Sequence, residues 1–326
     1  MVRQTKVVLS VVGPYQLYGS LLVKTCAENG VHYCDLTGEV LWVDQMVQRY
    51  QAAAQRTGAI LLNCCGFEAI PSDLTTFLVA DAIKTRHNST TSRVDLCFTE
   101  LKGDVSGGTL ASRLRHPFVL TDDDTRARKQ ALQLVKPNAT SITVKYDRVL
   151  RKWSSLFVGG SVNQAVVHRS NFLLNGVYGD RFVYTEHQSL GGYWSNLFAT
   201  LSLGFLGVSL YFRPTRALLK KLGPSPGEGP SEEVMTNGYF IAEAVGYAEN
   251  DRPAIEATAV GSDDPAYSLT CKLISECALC LAKGELGSDA VLGGDFFTPA
   301  SALGHQLAST RRSSSPSNLK SSELVL

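Results

Sequence analysis

Several motifs that would declare a function are missing from this sequence. No G-x-G-x-x-G occurs anywhere in the 326 residues, so the glycine-rich turn with which dinucleotide-binding folds hold a pyrophosphate is absent. The sequence also contains no H-E-x-x-H, no P-loop and no nucleophile elbow. These absences argue against a zinc protease, a nucleotide triphosphatase and an α/β-hydrolase.

A charge imbalance is missing as well. The chain has 31 Lys and Arg against 30 Asp and Glu, with a net charge of +1. A surface so close to neutrality creates no long-range field for a polyanion, and we expect no nucleic-acid partner. The length and the 44% hydrophobic content are sufficient for two globular domains with a substantial core.

Disulfide-framework spacing and a signal peptide are also absent, which indicates a reducing compartment. Cys277 and Cys280 have the C-x-x-C spacing of metal ligands. Their segment is apolar at helical intervals, and a second pair of ligands is lacking, whereas zinc needs at least three protein ligands. We therefore expect buried helix cysteines and no metal site.

What is present begins with a β-α-β pattern. The apolar run Val7–Val12 stops at Gly13-Pro14, a helical pattern follows, and a second short strand, Val31–Cys34, leads into Asp35. Alternation of this kind implies a parallel sheet with ligands at the carboxyl ends of its strands. Because the pattern continues over residues 1–91 without a glycine-rich turn, the expected fold class is α/β, with a truncated Rossmann-type parallel sheet.

The pattern of apolar and polar residues changes after residue 91. Residues 92–266 are expected to form a second, α+β domain that holds the substrate. Its strand-like runs, Asn237–Glu249 and Ala254–Val260, suggest antiparallel pairing in a mixed sheet. Residues 267–310 are expected to be helices that return to the first domain, and the polar tail, 311–326, is expected to be disordered.

The second domain contains an uncharged apolar run, residues 196–212, followed at once by Arg213, Arg216, Lys220 and Lys221. Three interpretations fit it: a membrane-surface or re-entrant anchor, a full membrane span, and a buried helix. The run is shorter than the about 20 residues of a typical span, and the basic flank suits an anionic membrane. The first interpretation is favoured. A flexible Pro- and Gly-rich linker at 223–231 follows.

A series of short blocks between residues 5 and 310 carries a family resemblance: VGPYQLYG, HYCDLTGE, CGFEAIPSDL, SGGTLAS, YG followed by FVYTE, PGEGPSEE, DDPAY and GGDFFTPASALG. In this order they resemble the saccharopine dehydrogenase-like oxidoreductases. The branch concerned includes trans-acting enoyl reductases and members associated with membranes or lipid droplets. The resemblance implies a nicotinamide cofactor, NADP or NAD. The family's glycine-rich turn would precede Met1, so we expect this chain to bind either cofactor weakly.

The resemblance places Gly13, Pro14 and Tyr15 near the nicotinamide, where glycine permits a close backbone approach; a plain strand-to-helix turn is the alternative. Asp35, Gly38 and Glu39 lie at the end of the next strand, where either carboxylate could orient a ribose or a polar substrate group. Solvated loop acids are the alternative for these. Glu68, where the family more often has Asp, completes the predicted substrate-binding residues. No catalytic side chain can be named.

Two functional hypotheses follow. The first is an NAD(P)-dependent oxidoreductase that transfers hydride to a lipid or acyl-type substrate at a membrane or lipid-droplet surface. The second is a non-catalytic, membrane-associated protein that has lost cofactor binding. Both predict membrane association on the cytoplasmic side, with a lipid droplet or the mitochondrial membrane as candidate locations. An exposed edge at Val7–Val12 would also favour a homo-oligomer.

Overall fold

The computed structural model describes residues 2–103, 143–209, 212, 214–215, 217–218, 231–287, 293–312 and 323–325. The SGGTLAS block and, apart from Ser231, the predicted linker at 223–231 lie outside the described residues. Two sheets organise the chain, one with four strands and one with seven.

The first sheet is entirely parallel. Its strands are β1 (Val7–Ser10), β2 (His32–Asp35), β3 (Ile60–Leu62) and β10 (Asp295–Phe297), which lie in the order β1-β2-β3-β10. The α/β class with a Rossmann-type parallel sheet is confirmed. As expected, β1 lies at an edge of this sheet, and the chain just after it exposes Val11 and Val12.

Two helices cover one face of the parallel sheet. Helix α1 (Tyr15–Tyr18) is a single turn that leads into α2 (Ser20–Asn29), and α3 (Val40–Thr57) follows β2. Both long helices end at a glycine in the left-handed conformation, Gly30 with φ 69° and Gly58 with φ 76°, which avoids the penalty that a Cβ atom would bring there. Their buried faces pack with Tyr33, Leu61 and Phe296 of the sheet.

The second sheet is mixed, as the sequence predicts. Its order is β11-β9-β8-β4-β7-β6-β5. In chain order the strands are β4 (Thr91–Lys102), β5 (Lys145–Asp147), β6 (Lys152–Leu156), β7 (Val183–Gln188), β8 (Tyr239–Ala248), β9 (Pro253–Ser262) and β11 (Glu323–Val325). Strands β8 and β9 form the expected antiparallel pair, and β4 runs parallel to β7. Helices α5 (Gly160–Leu173), α6 (Tyr193–Ser209) and α7 (Glu232–Asn237) connect these strands.

Helix α4 (Ile70–His87) packs against both sheets, and most of the residues in its first half are buried. Leu74, Val79 and Ile83 belong to the main core, together with Cys34 and Leu62 of the parallel sheet and Leu96 and Phe240 of the second sheet. A helix that is buried on several faces shows little amphipathic pattern. Helix α4 therefore shares one hydrophobic core with strands of both sheets.

The C-terminal part departs from the sequence prediction in two ways. Besides helices α8 (Thr270–Lys283), α9 (Pro299–Ala302) and α10 (Gly304–Arg312), it contributes the parallel strand β10. Helix α8 contains Cys277 and Cys280, both buried. In the tail expected to be disordered, α10 extends to Arg312 and β11 pairs in parallel with β9.

Helix α6 is an exposed apolar helix. Of its 17 residues only Asn196 is buried, so the interpretation as a buried core helix is wrong. Side chains around its circumference face outward, and Trp194, Phe198 and Phe205 are each at least 75% exposed. Among the residues that the structure describes, no helix is both long and apolar enough to cross a bilayer.

Candidate functional site

Asp35 connects the strand ends at the carboxyl edge of the parallel sheet. Its carboxylate accepts hydrogen bonds from the Tyr33 hydroxyl (3.0 Å), the Thr37 amide (3.2 Å), the Asn63 side-chain amide (2.8 Å) and the Cys64 amide (3.2 Å). It thereby joins the end of β2 to the end of β3. This edge is where parallel α/β sheets form their ligand sites.

Burial dominates the electrostatics of this carboxylate. The side chain is fully buried, and burial raises the pKa of Asp35 to about 6 although the hydrogen bonds that it accepts act in the opposite direction. With both oxygens occupied by protein donors, Asp35 offers a substrate no exposed atom. Its place in the structure is that of a positioning residue, which differs from the substrate contact predicted from sequence.

Gly13 and Tyr15, predicted to lie near a nicotinamide, differ sharply in accessibility. Gly13 is exposed, and a Cβ atom built on it would meet only Tyr15 ring carbons, at 3.6 and 3.7 Å. Tyr15 is buried beside Trp42 and donates its hydroxyl proton to the Ser10 carbonyl at 3.0 Å. Of these two residues, the glycine is accessible to a ligand, whereas the tyrosine hydroxyl already donates its hydrogen bond within the protein. Pro14, between them, is partly buried.

Glu39 occupies a helix N-terminus. Its two carboxylate oxygens accept hydrogen bonds from the backbone N–H groups of Tyr15 and Gln16, each at 3.0 Å. In dinucleotide-binding folds such N–H groups, after a strand of the sheet, receive a phosphate. Here a carboxylate occupies them and adds a negative charge, so these two N–H groups are not available to a pyrophosphate.

Gly38 and Glu68 lie against each other. A Cβ atom on Gly38 would come within 2.5 Å of the Glu68 carboxylate oxygen, so only glycine allows this approach without displacement of the side chain. Both residues are partly exposed. The predicted substrate-binding residues Gly38, Glu39 and Glu68 are therefore adjacent on one accessible surface, and Asp35 lies beneath it.

A cavity of about 320 Å³ opens beside this surface, at the ends of β3 and β10 and below helix α5. Its polar and ionisable lining comprises Asp44, Gln51, Asn63, Cys64, His168, Arg169 and Thr298, and its apolar lining comprises Val40, Val43, Val47, Ala165, Val166, Phe172, Leu173 and Phe297. This cavity was not predicted from the sequence. One available signal was Asn63, the polar residue at the end of an otherwise apolar strand.

Two further carboxylates are buried behind the cavity. Asp73 accepts hydrogen bonds from the Ser170 hydroxyl and from the Ala300 amide (2.8 Å). Glu186 accepts them from Asn163 (2.8 Å) and from the Tyr184 hydroxyl (2.9 Å). Burial is the main cause that raises the pKa of each to about 7. These bonds connect helix α4 and strand β7 to the elements that line the cavity.

Comparison with known proteins identifies the family. A trans-acting enoyl reductase of Mycobacterium tuberculosis is 30% identical to this chain over 94% of its residues and 78% of the relative's length. The chain belongs to the trans-acting enoyl reductase family. The homologous trans-acting enoyl reductase of Mycobacterium leprae is 29% identical over the same shares of the two chains. The family is thus one of oxidoreductases, and the broader saccharopine dehydrogenase-like assignment stays a prediction.

Other comparisons add little to this family assignment. No protein-family model matches the chain. A dihydrodipicolinate reductase from Paenisporosarcina superposes on 91% of this chain and 73% of its own, with 9% identity and a TM-score of 0.33. A mutant meso-dapdh from Clostridium tetani covers 96% of this chain and 82% of its own, with 10% identity and a TM-score of 0.41. Both scores are too low to support an argument.

The buried carboxyls predict a pH dependence of stability. A carboxyl whose pKa is raised in the folded state binds its proton more tightly there than in the unfolded chain. The contribution of Asp73 and Glu186 to the free energy of unfolding should therefore be highest below about pH 4, fall as the pH rises to about 7 and change little above it. Asp73 and Glu186 should each contribute on the order of 4 kcal/mol to this fall.

Urea unfolding at a series of pH values measures the effect. In the Asp73→Asn variant the free energy of unfolding should depend less steeply on pH between about pH 4 and pH 7, because Asp73 no longer binds a proton. Glu256→Gln, which alters an exposed carboxylate on β9, should leave the slope unchanged. An Asp73→Asn protein with the wild-type slope would show that Asp73 does not bind a proton on folding.

Proposed function

We propose that this protein is a nicotinamide-dependent oxidoreductase that transfers hydride to an enoyl or other acyl-type substrate at a lipid surface. The observation that carries the proposal is the 30% identity to a trans-acting enoyl reductase across 94% of the chain. An identity sustained over that length includes the carboxyl edge of the parallel sheet, where the accessible polar residues lie.

The geometry of that edge supports the proposal. Gly13 leaves open space at the end of β1, while Gly38, Glu39 and Glu68 form an adjacent polar surface. Hydride transfer asks little of side chains, because the cofactor supplies the chemistry and the protein supplies orientation and electrostatics. In this proposal the open backbone at Gly13 lies nearest the reacting atoms, and Asp35 holds the strand ends in position.

A second candidate function has its own supporting observation. The Glu39 carboxylate occupies the N–H groups at the start of α1, so a phosphate cannot bind to them. A protein that keeps the sheet but binds no nicotinamide cofactor would look the same in this region. The alternative is a non-catalytic, membrane-associated protein.

The lipid surface is proposed from helix α6. Its apolar side chains project on several sides, whereas a protein partner would cover one stripe of a helix. The helix carries no charged residue, and Arg213 and Arg216 follow it in the sequence. Insertion into the apolar part of a lipid layer would bury the exposed aromatic side chains, each at a gain of about 1.5–3 kcal/mol. Nearby basic residues would add attraction to anionic headgroups.

Isotope transfer tests the reductase function. Incubation with a crotonyl thioester and excess NADPH or NADH, deuterated at nicotinamide C4 on the face that is transferred, should give a butyryl thioester. Its β-carbon should carry the deuterium and its α-carbon a solvent proton. Gly13→Val should lower the rate at least tenfold at limiting cofactor by blocking close approach, with an unchanged thermal midpoint.

Gly192→Val is the matched control, because no atom lies within 4 Å of a Cβ built there. It should retain the wild-type rate. Folded wild-type protein that transfers no deuterium from either saturating cofactor would contradict the reductase function and favour the non-catalytic alternative.

Flotation with liposomes tests the lipid surface. Liposomes of phosphatidylcholine and phosphatidylserine should carry the wild-type protein upward in a density gradient. Phe198, Leu201 and Phe205 are each more than 60% exposed, so replacing all three by Ser should abolish flotation and leave the thermal midpoint unchanged. Leu279→Ser, at an exposed position on α8, should float like the wild type. Wild-type protein that stays at the bottom would refute the anchor.

A further inference from the structure

The cavity below α5 has room for a small ligand of its own. Its volume of about 320 Å³ corresponds to roughly ten groups the size of a water molecule, at about 30 Å³ each. It lies at the carboxyl ends of two parallel strands, β3 and β10, where α/β sheets form binding sites. Valine, leucine and phenylalanine side chains form much of its wall, which suits a ligand with an aliphatic body.

Asn63 supplies an unused hydrogen-bond acceptor. Its side-chain nitrogen donates to the Asp35 carboxylate at 2.8 Å, and this contact fixes the orientation of the amide because a carboxylate accepts and does not donate. The side-chain oxygen has no partner among the described residues, although Asn63 is only 3% exposed. An unsatisfied buried acceptor is costly, and a ligand N–H or O–H in the cavity would satisfy it.

Arg169 supplies unused donors. One guanidinium nitrogen donates to the Phe296 carbonyl at 2.7 Å, and this is the sole hydrogen bond of the side chain within the described part of the chain. Among those residues, no carboxylate oxygen lies within 4.0 Å of a guanidinium nitrogen of Arg169, the distance limit of an ion pair. A guanidinium has five N–H donors, so several remain for a ligand carbonyl.

The charges of the lining select the ionic state of the ligand. Asp44 also lines the cavity, and the carboxylates of Asp295 and Asp44 both act electrostatically on the Arg169 guanidinium. His168, the remaining titratable nitrogen of the wall, is buried, and burial lowers its pKa, which favours the uncharged imidazole. The two carboxylates disfavour an anionic head, and a cationic head would bring no acceptor for the Arg169 N–H groups. The cavity suits a neutral polar group that both donates and accepts.

We propose that this cavity binds a neutral secondary amide carried on a short aliphatic chain. The amide N–H would bond to the Asn63 oxygen, the amide C=O would accept from Arg169, and the chain would lie along the apolar wall. N-acyl lipids and the amide-containing arms that carry acyl thioesters both present this group. The proposal concerns binding alone and does not depend on hydride transfer.

Calorimetric titration with two matched probes tests the donor requirement. N-hexylacetamide carries the N–H group, whereas hexyl acetate has the same number of non-hydrogen atoms and only a carbonyl. The amide should bind at least tenfold more tightly, equivalent to about 1.4 kcal/mol. Equal affinities, or tighter binding of octanoate than of the amide, would overturn the proposal, as would the absence of saturable amide binding.

Protein variants locate the site. Arg169→Leu should weaken N-hexylacetamide binding at least tenfold, and Arg169→Lys, which keeps the charge, should weaken it less. Arg86→Leu, at an exposed arginine outside the cavity lining, should bind as the wild type does. Unchanged affinity in a folded Arg169→Leu protein would exclude this cavity. One further probe then represents each natural source: N-(2-hydroxyethyl)hexanamide for N-acyl lipids and S-butanoyl-N-acetylcysteamine for the arms that carry acyl thioesters. The probe that binds more tightly indicates the source.

Discussion

The buried carboxylate of Asp35 is the constraint on which the carboxyl edge of the sheet depends. A charge without solvent contact is stable only when donors surround it, and here four donors come from β2, from the loop after it and from the end of β3. Because these donors belong to segments far apart in sequence, satisfying one carboxylate sets the relative positions of two strand ends. The loop that carries Gly38 and Glu39 starts from this fixed point.

The same arrangement connects the two regions to which we assign function. Through Thr37, Asp35 positions the loop whose Glu39 caps helix α1 and whose Gly38 contacts Glu68. Through Asn63, a residue that lines the cavity beneath α5, it engages the amide nitrogen and leaves the amide oxygen without a partner among the described residues. The accessible polar surface and the cavity are therefore two sides of one hydrogen-bond network.

The features of the fold that could be predicted from the sequence are those set by a pattern of neighbouring residues. The β-α-β alternation, the helix stop at Gly58 and the N-cap role open to Thr298, whose hydroxyl accepts from the Ser301 amide, follow from periodicity and residue chemistry over a few positions. The occupied hydroxyl of Tyr15, the strand β10 and the approach of Arg169 to the end of that strand depend on contacts between distant segments. Single-sequence periodicity carries no information about such contacts. The exposure of helix α6 likewise depends on where distant segments of the chain lie.

Amide hydrogen exchange of an Asp35→Ala variant tests the central claim most directly. Alanine removes both carboxylate oxygens, so the Thr37 and Cys64 amides, which share Oδ1, and the Tyr33 and Asn63 donors, which share Oδ2, all lose their acceptor. The amides of Thr37 and Cys64 should exchange at least tenfold faster than in the wild type, while that of Leu96, in the second sheet, should exchange as before. Unchanged protection of Thr37 and Cys64 in a folded variant would contradict the account.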